Sequence, residues 1–421
     1  MEERKERYLL VGIDTGEGDA EASLDELEEL LKTAGGETAG RVIQPRDKAN
    51  PATYVGKGKV DELREYLSAL EADGILTDDE LTPSQMKNLE DALDTKVVDR
   101  TMLILDIFAG RATTREGKLQ VELAQLKYRM TRLLGSGKQL SRLGGGIGTR
   151  GPGESKLESD RRVIKNRIMT LRAEADDLVR HREIARRSRK EHNVPVVAIV
   201  GYTNAGKSTL LNRIAGSSVL SEDKLFATLD PTTRSVRLPG GETVLFTDTV
   251  GFINKLPHHL VDAFRSTLEE AKYADVILHV IDGSNRDHMK QRDVVYQTMD
   301  ELQIAGKPIV TAYNKWDRVT DGDVCASHFP VKDERSEKTL KISALTGDGI
   351  EEMLKSIEEV LLGKKHKIEV VFPFSDAGKL TLIRTYGTIL KEEYAENGIC
   401  VEAYVTDEIA GKLGLSGKGT N

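Results

Sequence analysis

A chain of 421 residues is too long for one hydrophobic core and predicts two to four domains. Hydrophobic residues make up 38% and charged residues 31% of it, and no apolar run approaches the roughly 18 to 20 residues of a membrane span, which argues against a membrane-spanning class. The N-terminus mixes both signs of charge and lacks the pattern of a secretory leader. Cys325 and Cys400 are the only cysteines and stand far apart, so a cytoplasmic chain without a disulfide framework is expected, with both thiols as structural bystanders.

The expected fold class is α/β: a small α/β domain (1–110), an antiparallel helical hairpin (111–193), a doubly wound, mostly parallel sheet (194–363) and a small α/β tail (364–421). In the first of these, β-like runs at Tyr8–Ile13, Ala39–Gln44, Gly74–Thr77 and Lys96–Val98 alternate with helical stretches such as Leu24–Leu31 and Val60–Leu70. Gly56-Lys57-Gly58-Lys59 opens a helix there. Such a turn is either a plain strand-to-helix connection or an anion seat for a second nucleotide.

The middle stretch carries charge unlike the rest. Residues 111–193 hold 21 Lys and Arg against 10 Asp and Glu, a surplus of 11, which leaves −19 for the remainder of a chain whose net charge is −8. A polyanion is drawn to this stretch and repelled elsewhere. Leu119, Leu123, Leu126, Met130 and Leu133 follow spacings of four and three, as do Ile164, Ile168, Leu171, Ala175 and Leu178, and predict two helices meeting along a coiled-coil seam. Residues 135–153 between them, with Lys138, Arg142 and Arg150, are too rich in glycine to predict a regular element.

From Val194 onward, apolar strands are expected at Val196–Val200, Thr243–Thr247, Val276–Ile281, Ile309–Tyr313 and Leu340–Ile342. Gly201-Tyr202-Thr203-Asn204-Ala205-Gly206-Lys207-Ser208 follows the first and leads into the helical Thr209, the context that a phosphate-binding loop requires. Its N–H groups wrap the β-phosphate, Lys207 reaches the β and γ oxygens, and Ser208 ligates Mg2+. Asp317 in Asn314-Lys315-Trp316-Asp317 selects guanine over adenine: a carboxylate there accepts from N1–H and the 2-amino group of guanine, whereas adenine N1 carries no proton. Ser343-Ala344-Leu345 follows the next strand and offers an N–H to the guanine O6. Asp248-Thr249-Val250-Gly251 places Asp248 near Mg2+ through water and the Gly251 N–H against the γ-phosphate. In the segment containing Phe226, Ala227 and Thr228, Thr228 is expected to complete the Mg2+ ligands, with Thr232 and Thr233 behind it. Phe252 stands where Ras-like GTPases carry the glutamine that orients the attacking water, so slow intrinsic turnover is expected. Glu396-Asn397-Gly398 predicts a hairpin turn in the tail.

These motifs, with Tyr-Val-Gly-Lys-Gly-Lys at 54–59, Asp-Arg-Thr at 99–101, Glu-Gly-Lys-Leu-Gln-Val-Glu-Leu-Ala-Gln-Leu at 116–126 and Gly-Gly-Gly-Ile-Gly-Thr-Arg-Gly-Pro-Gly-Glu at 144–154, make the chain resemble the HflX family of translational GTPases over nearly its whole length. The resemblance implies a GTP/GDP cycle on the large ribosomal subunit, separation of ribosomal subunits under stress, an N-terminal domain on ribosomal RNA and a glycine-rich tip reaching toward the peptidyl-transferase region. It also implies ATP use by some members through the N-terminal domain, for which the Gly56 turn is the place to look. A monomer is the default. Two other readings stay open: an RNA-remodelling or RNA-modification enzyme timed by a GTPase, and a protein-binding scaffold whose hairpin arginines are merely solvated.

Overall fold

Four short strands, each followed by a helix, form a four-stranded sheet in the order β2-β1-β3-β4: β1 (Arg7–Asp14), β2 (Glu37–Pro45), β3 (Gly74–Thr77) and β4 (Lys96–Asp99). All its pairings are parallel. This is a computed structural model, and it describes residues 4–16, 18–143, 152–191, 194–216, 225–226, 231–255, 270–304, 306–320, 333–363, 365–395, 398–405 and 407–415. It divides into two compact units, one of Met1–Val179, Glu222–Asp230 and Asn254–Ser266, the other of Arg180–Ser221, Pro231–Ile253 and Thr267–Asn421.

In the first unit the connecting helices are α1 (Ala20–Thr33), α2 (Lys57–Ala69), α3 (Pro83–Leu93) and α4 (Arg100–Arg111). Their starts are written locally. Asp19 accepts from Ala22 N, Thr82 and Gln85 form a reciprocal capping box with Pro83 in the first turn, and Asp99 accepts from Met102 N. Two long helices follow, α5 (Arg115–Leu143) and α6 (Pro152–Glu191), the latter belonging to this unit through Val179. Arg167 forks onto Glu122 and Arg115 pairs with Glu174; as position rises along one helix it falls along the other, so the hairpin is antiparallel as expected.

One expectation for the hairpin needs correction and another is met in part. Helix α5 runs through Gly135 and Gly137 to Leu143, although 135–153 predicted no regular element. An isolated interior glycine costs only about 1 kcal/mol against alanine, and the consecutive glycines Gly144, Gly145 and Gly146 come after the helix ends. Of the expected seam, Leu119 of α5 and Ile168 and Leu171 of α6 are buried and Leu123, Leu126, Met130 and Leu133 half-buried, while Val121, Ala124 and Tyr128 of α5, off that seam, are buried as well, and α5 packs on α3 and α4. Heptad spacing identifies an apolar face and does not say which neighbour covers it.

The second unit carries a six-stranded sheet, β10-β9-β8-β5-β7-β6, of β5 (Val196–Gly201), β6 (Thr232–Arg237), β7 (Thr243–Asp248), β8 (Val276–Asp282), β9 (Ile309–Asn314) and β10 (Lys338–Lys341). Only β6 runs antiparallel, on β7; its polar sequence Thr-Thr-Arg-Ser-Val-Arg at the sheet edge left no apolar signal to find. Alternate residues of β5, Val197 and Ile199 as well as Ala198 and Val200, are wholly buried, as a sheet covered on both faces requires. The helices α7 (Lys207–Ile214), α8 (His288–Glu301) and α9 (Ile350–Leu362) cover it. A three-stranded antiparallel sheet follows, with β11 (His366–Phe372) and β12 (Thr388–Ala395) flanking β13 (Gly398–Val405). It packs on α10 (Ala377–Tyr386) and α11 (Asp407–Lys412), and Ala395 pairs with Gly398 across the expected hairpin. No helix among the described residues is long and apolar enough to cross a membrane.

Candidate guanine-nucleotide site

The carboxyl ends of β5, β7, β8, β9 and the segment after β10 converge on one place in the second unit, where ligands of open α/β sheets bind. The loop from Gly201 to Ser208 needs unusual backbone there. Asn204 and Gly206 have φ of +58° and +91°, and a Cβ on Gly206 would stand 2.3 Å from Asn314 Nδ2. The same Asn314 nitrogen donates to Ala205 O at 2.8 Å, so the guanine motif braces the phosphate loop.

Lys207 is buried and donates to Gly201 O at 3.1 Å and Tyr202 O at 2.8 Å. Burial pushes its ammonium down to about 8, against the pull of Asp248. Ser208 Oγ donates to Asp248 Oδ2 at 2.7 Å, with Asp248 almost wholly buried at the end of β7. A hydroxyl and a carboxylate side by side are hard oxygen donors, the chemistry that suits Mg2+. Thr249 is anchored through Oγ1 to Ile199 O at 2.8 Å.

Gly251 follows, and a Cβ there would lie 2.7 Å from Thr203 Cα and 3.0 Å from Lys207 Nζ, so only glycine brings this backbone against the loop. Phe252 closes the approach: its N–H donates to Gly201 O at 3.1 Å, its carbonyl accepts from Thr203 N at 2.7 Å, and its ring is buried. A ring so placed cannot position a water.

The base-recognition residues are equally braced. Ser343 Oγ donates to Asp317 Oδ1 at 2.6 Å, Ala344 N donates to Asn314 Oδ1 at 2.9 Å, and Lys315 pairs with Asp282 at 2.9 Å. Asp317 and Leu345 are exposed, whereas Asn314, Ser343 and Ala344 are buried, which gives a rigid floor with an open lip. Trp316 is half-buried with the Lys341 ammonium 4.3 Å from its ring centre.

The structure thus brings together Gly201 through Thr209, Asp248 through Gly251, Asn314, Lys315, Asp317 and Ser343 through Leu345. Phe226 belongs to the first unit, where its ring packs edge-on against Phe108 of α4, centroids 4.6 Å apart. Ala227, Thr228 and Arg150 lie outside the described residues, and of Lys138 and Arg142 only the helical backbone is described. At the Gly56 turn the Gly56 N–H donates to Gln44 Oε1 at 2.8 Å, and the Arg46 guanidinium lies 2.7 Å from where a Cβ would stand. One residue escaped the sequence reading. Arg213, in the last turn of α7, donates through Nε to Ala344 O at 3.0 Å and through its terminal nitrogen to Leu345 O. Its partners lie 131 and 132 positions away, beyond any local pattern.

Comparison with known proteins decides the family. Three sequence families match successive stretches of the chain: a GTP-binding GTPase N-terminal region over residues 21–109, a GTP-binding GTPase middle region over 111–189, and a 50S ribosome-binding GTPase over 196–315. A GTPase HflX of Lacrimispora saccharolytica is 56% identical over 414 residues, covering 98% of this chain and 96% of that protein. The GTPase HflX of Escherichia coli is 41% identical over 376 residues, covering 89% and 87%. The chain belongs to the HflX family of GTPases. As an HflX GTPase it binds and hydrolyses GTP, and the site above is where its geometry suits that reaction. Among solved structures, a GTP-binding protein of Sulfolobus solfataricus in complex with GDP is 25% identical, covers 85% of this chain and 98% of its own, and superposes with a TM-score of 0.44. The family assignment rests on the sequence relatives.

Proposed function

We propose that this HflX GTPase works on the large ribosomal subunit, separating or rescuing ribosomes as a cytoplasmic monomer, and that its nucleotide site uses the residues described above. The observation that carries the ribosome reading is the positive surplus on the hairpin. Arg161, Arg162, Lys165 and Arg172 are all exposed along α6, which suits contact with RNA phosphates and shape rather than base readout. The description of the family matching residues 196–315, a 50S ribosome-binding GTPase, names the same partner. Lys138, Arg142 and Arg150 of the tip are assigned to ribosomal RNA. An RNA-remodelling role needs a second catalytic constellation, and none is apparent among the described residues.

In the reaction, the N–H groups of Asn204 through Ser208 hold the β-phosphate, Lys207 bridges the β and γ oxygens, and the Gly251 N–H senses the γ-phosphate. Asp317 and the Ser343–Leu345 loop read the guanine. Ser208 and Asp248, with Thr228 in the segment outside the described residues, would hold Mg2+, which when bound neutralises charge on the transferring phosphoryl group. With Phe252 in place of a glutamine, intrinsic turnover is slow until the ribosome orders the switches or supplies the missing group.

GTP turnover with and without purified large subunits, with Lys207→Ala as the blank, tests this. Stimulation that weakens steeply with salt is expected. Unchanged turnover without cosedimentation would leave a guanine switch with no ribosomal partner.

A further inference from the structure

The guanine loop is gripped from behind by one side chain. Arg213 Nε takes Ala344 O at 3.0 Å, and the other prong of the guanidinium takes Leu345 O. The first carbonyl shares a trans peptide with the Leu345 N–H, and in such a plane the C=O and N–H point in opposite directions. Holding Ala344 O against α7 therefore aims the Leu345 N–H away from α7.

That N–H is distinguished from its neighbours. The Ala344 N–H is taken by Asn314 Oδ1 at 2.9 Å, the Thr346 N–H by Ser343 Oγ at 3.1 Å and the Gly347 N–H by Ser343 O at 2.8 Å. Among the described residues the Leu345 N–H alone of these four has no acceptor, and Leu345 is 64% exposed. The second prong fixes the next peptide, whose N–H is the one on Ser343 Oγ, so both peptides flanking Leu345 are locked. A planar guanidinium is suited to this: two donors in a fixed fork meet two carbonyls that a lysine could meet only one at a time.

We infer that Arg213 is a specificity-determining positioning residue, which holds the Leu345 N–H in place to donate to the O6 of guanine. The inference rests on the assignment of the Ser343–Leu345 loop to the base. Arg213 acts through the loop, by its bonds to Ala344 O and Leu345 O.

The test measures three diphosphates on the full chain: GDP, 6-thio-GDP, in which a weakly accepting sulfur replaces O6, and IDP, which lacks the 2-amino group facing Asp317. Wild type is expected to prefer GDP over 6-thio-GDP by about tenfold, the worth of one well-placed hydrogen bond. Arg213→Ala is expected to reduce that preference to about twofold while keeping the preference for GDP over IDP, because the Ser343–Asp317 bond does not involve the arginine. Arg213→Lys, the milder replacement should Arg213→Ala fold poorly, falls between. A full O6 preference in the variants overturns the inference, and so does parallel loss of both preferences, which would mark general damage to the loop. If wild type itself fails to discriminate against 6-thio-GDP, no N–H meets O6, and the reading of the loop fails along with the inference.

Discussion

Three buried basic side chains in this molecule are treated in three ways. In the first unit Arg100 is 1% exposed and is paired with Asp78 at 2.8 Å and with Glu26. In the second unit Lys207 is 6% exposed and ends on two backbone carbonyls, and His279 is wholly buried with neither ring nitrogen hydrogen-bonded among the described residues. Burying a charge costs several kcal/mol unless carboxylates or hydrogen bonds offset it. Arg100 meets that cost inside the fold and is structural. His279 avoids it by staying neutral. Lys207 is held by two neutral carbonyls and no ion pair, so its charge is available to an anion arriving from outside, and the loop around it is shaped for phosphate. A strongly perturbed buried cation at the mouth of a phosphate loop is a candidate binding group, whereas a buried ion pair shifts pKa values for structural reasons.

The comparison breaks most sharply at Lys207. Lys207→Ala is expected to lower single-turnover GTP hydrolysis by about 10³-fold or more, since the ammonium is the positive charge aimed at the β and γ oxygens. The fold should be unaffected, because the side chain contributes only hydrogen bonds to carbonyls that also face the loop. Circular dichroism and the melting transition of the variant check this second half. A strong loss of stability would instead place Lys207 with Arg100 among the structural cations.

Arg100 should behave in the opposite way. Arg100→Met leaves Asp78 and Glu26 without their shared partner and is expected to destabilise the first unit by about 3–5 kcal/mol, read by denaturant unfolding. Lys255 remains beside Asp78 and at 2.8 Å from Asp79, which places the loss toward the lower end. Burial pushes the Asp78 carboxyl up, but Arg100 and Lys255 prevail and hold it below the usual value. A depressed carboxylate stabilises above its unfolded pKa, and that contribution disappears as pH falls through the folded one. The wild-type advantage over Arg100→Met should therefore shrink in acid, below about pH 4. An advantage that persisted there would mean that Arg100 stabilises by packing.

Much of this was legible in the sequence, for reasons that differ between regions. The strands β5, β8 and β9 are buried on both faces and read as continuous apolar runs, and the phosphate loop carries its mechanism in eight adjacent residues. Asp248, Gly251, Asn314 and Asp317 follow because each sits at a strand end, where chain order and geometry coincide. The edge strand β6 was illegible because its face toward solvent is polar, and the buried stripe of α5 because several neighbours compete for one helix. Arg213, Arg100 and the Gln44 brace on Gly56 depend on partners far along the chain, and no local spacing encodes them.

The smallest effect near neutrality belongs to His279. Burial lowers its imidazole to about 3 from an ordinary 6.5, against the pull of Asp333 and with Arg292 and Lys207 adding to the shift; the ring of Tyr296 lies edge-on, centroids 5.0 Å apart. Between those two values the unfolded chain binds a proton that the folded one refuses. Stability therefore falls as pH drops through 6.5 and continues to fall toward 3, with a limiting slope of about 1.4 kcal/mol per pH unit. Replacing the ring by leucine removes that proton from both states at a volume the site can hold. His279→Leu is thus expected to flatten the acid dependence of hydrogen exchange at the β8 amides while leaving exchange near neutrality changed by about 1 kcal/mol at most. An unaltered acid slope would show that His279 keeps its proton in the fold, and a buried histidine that is charged would then belong, like Lys207, with the groups poised for an anion.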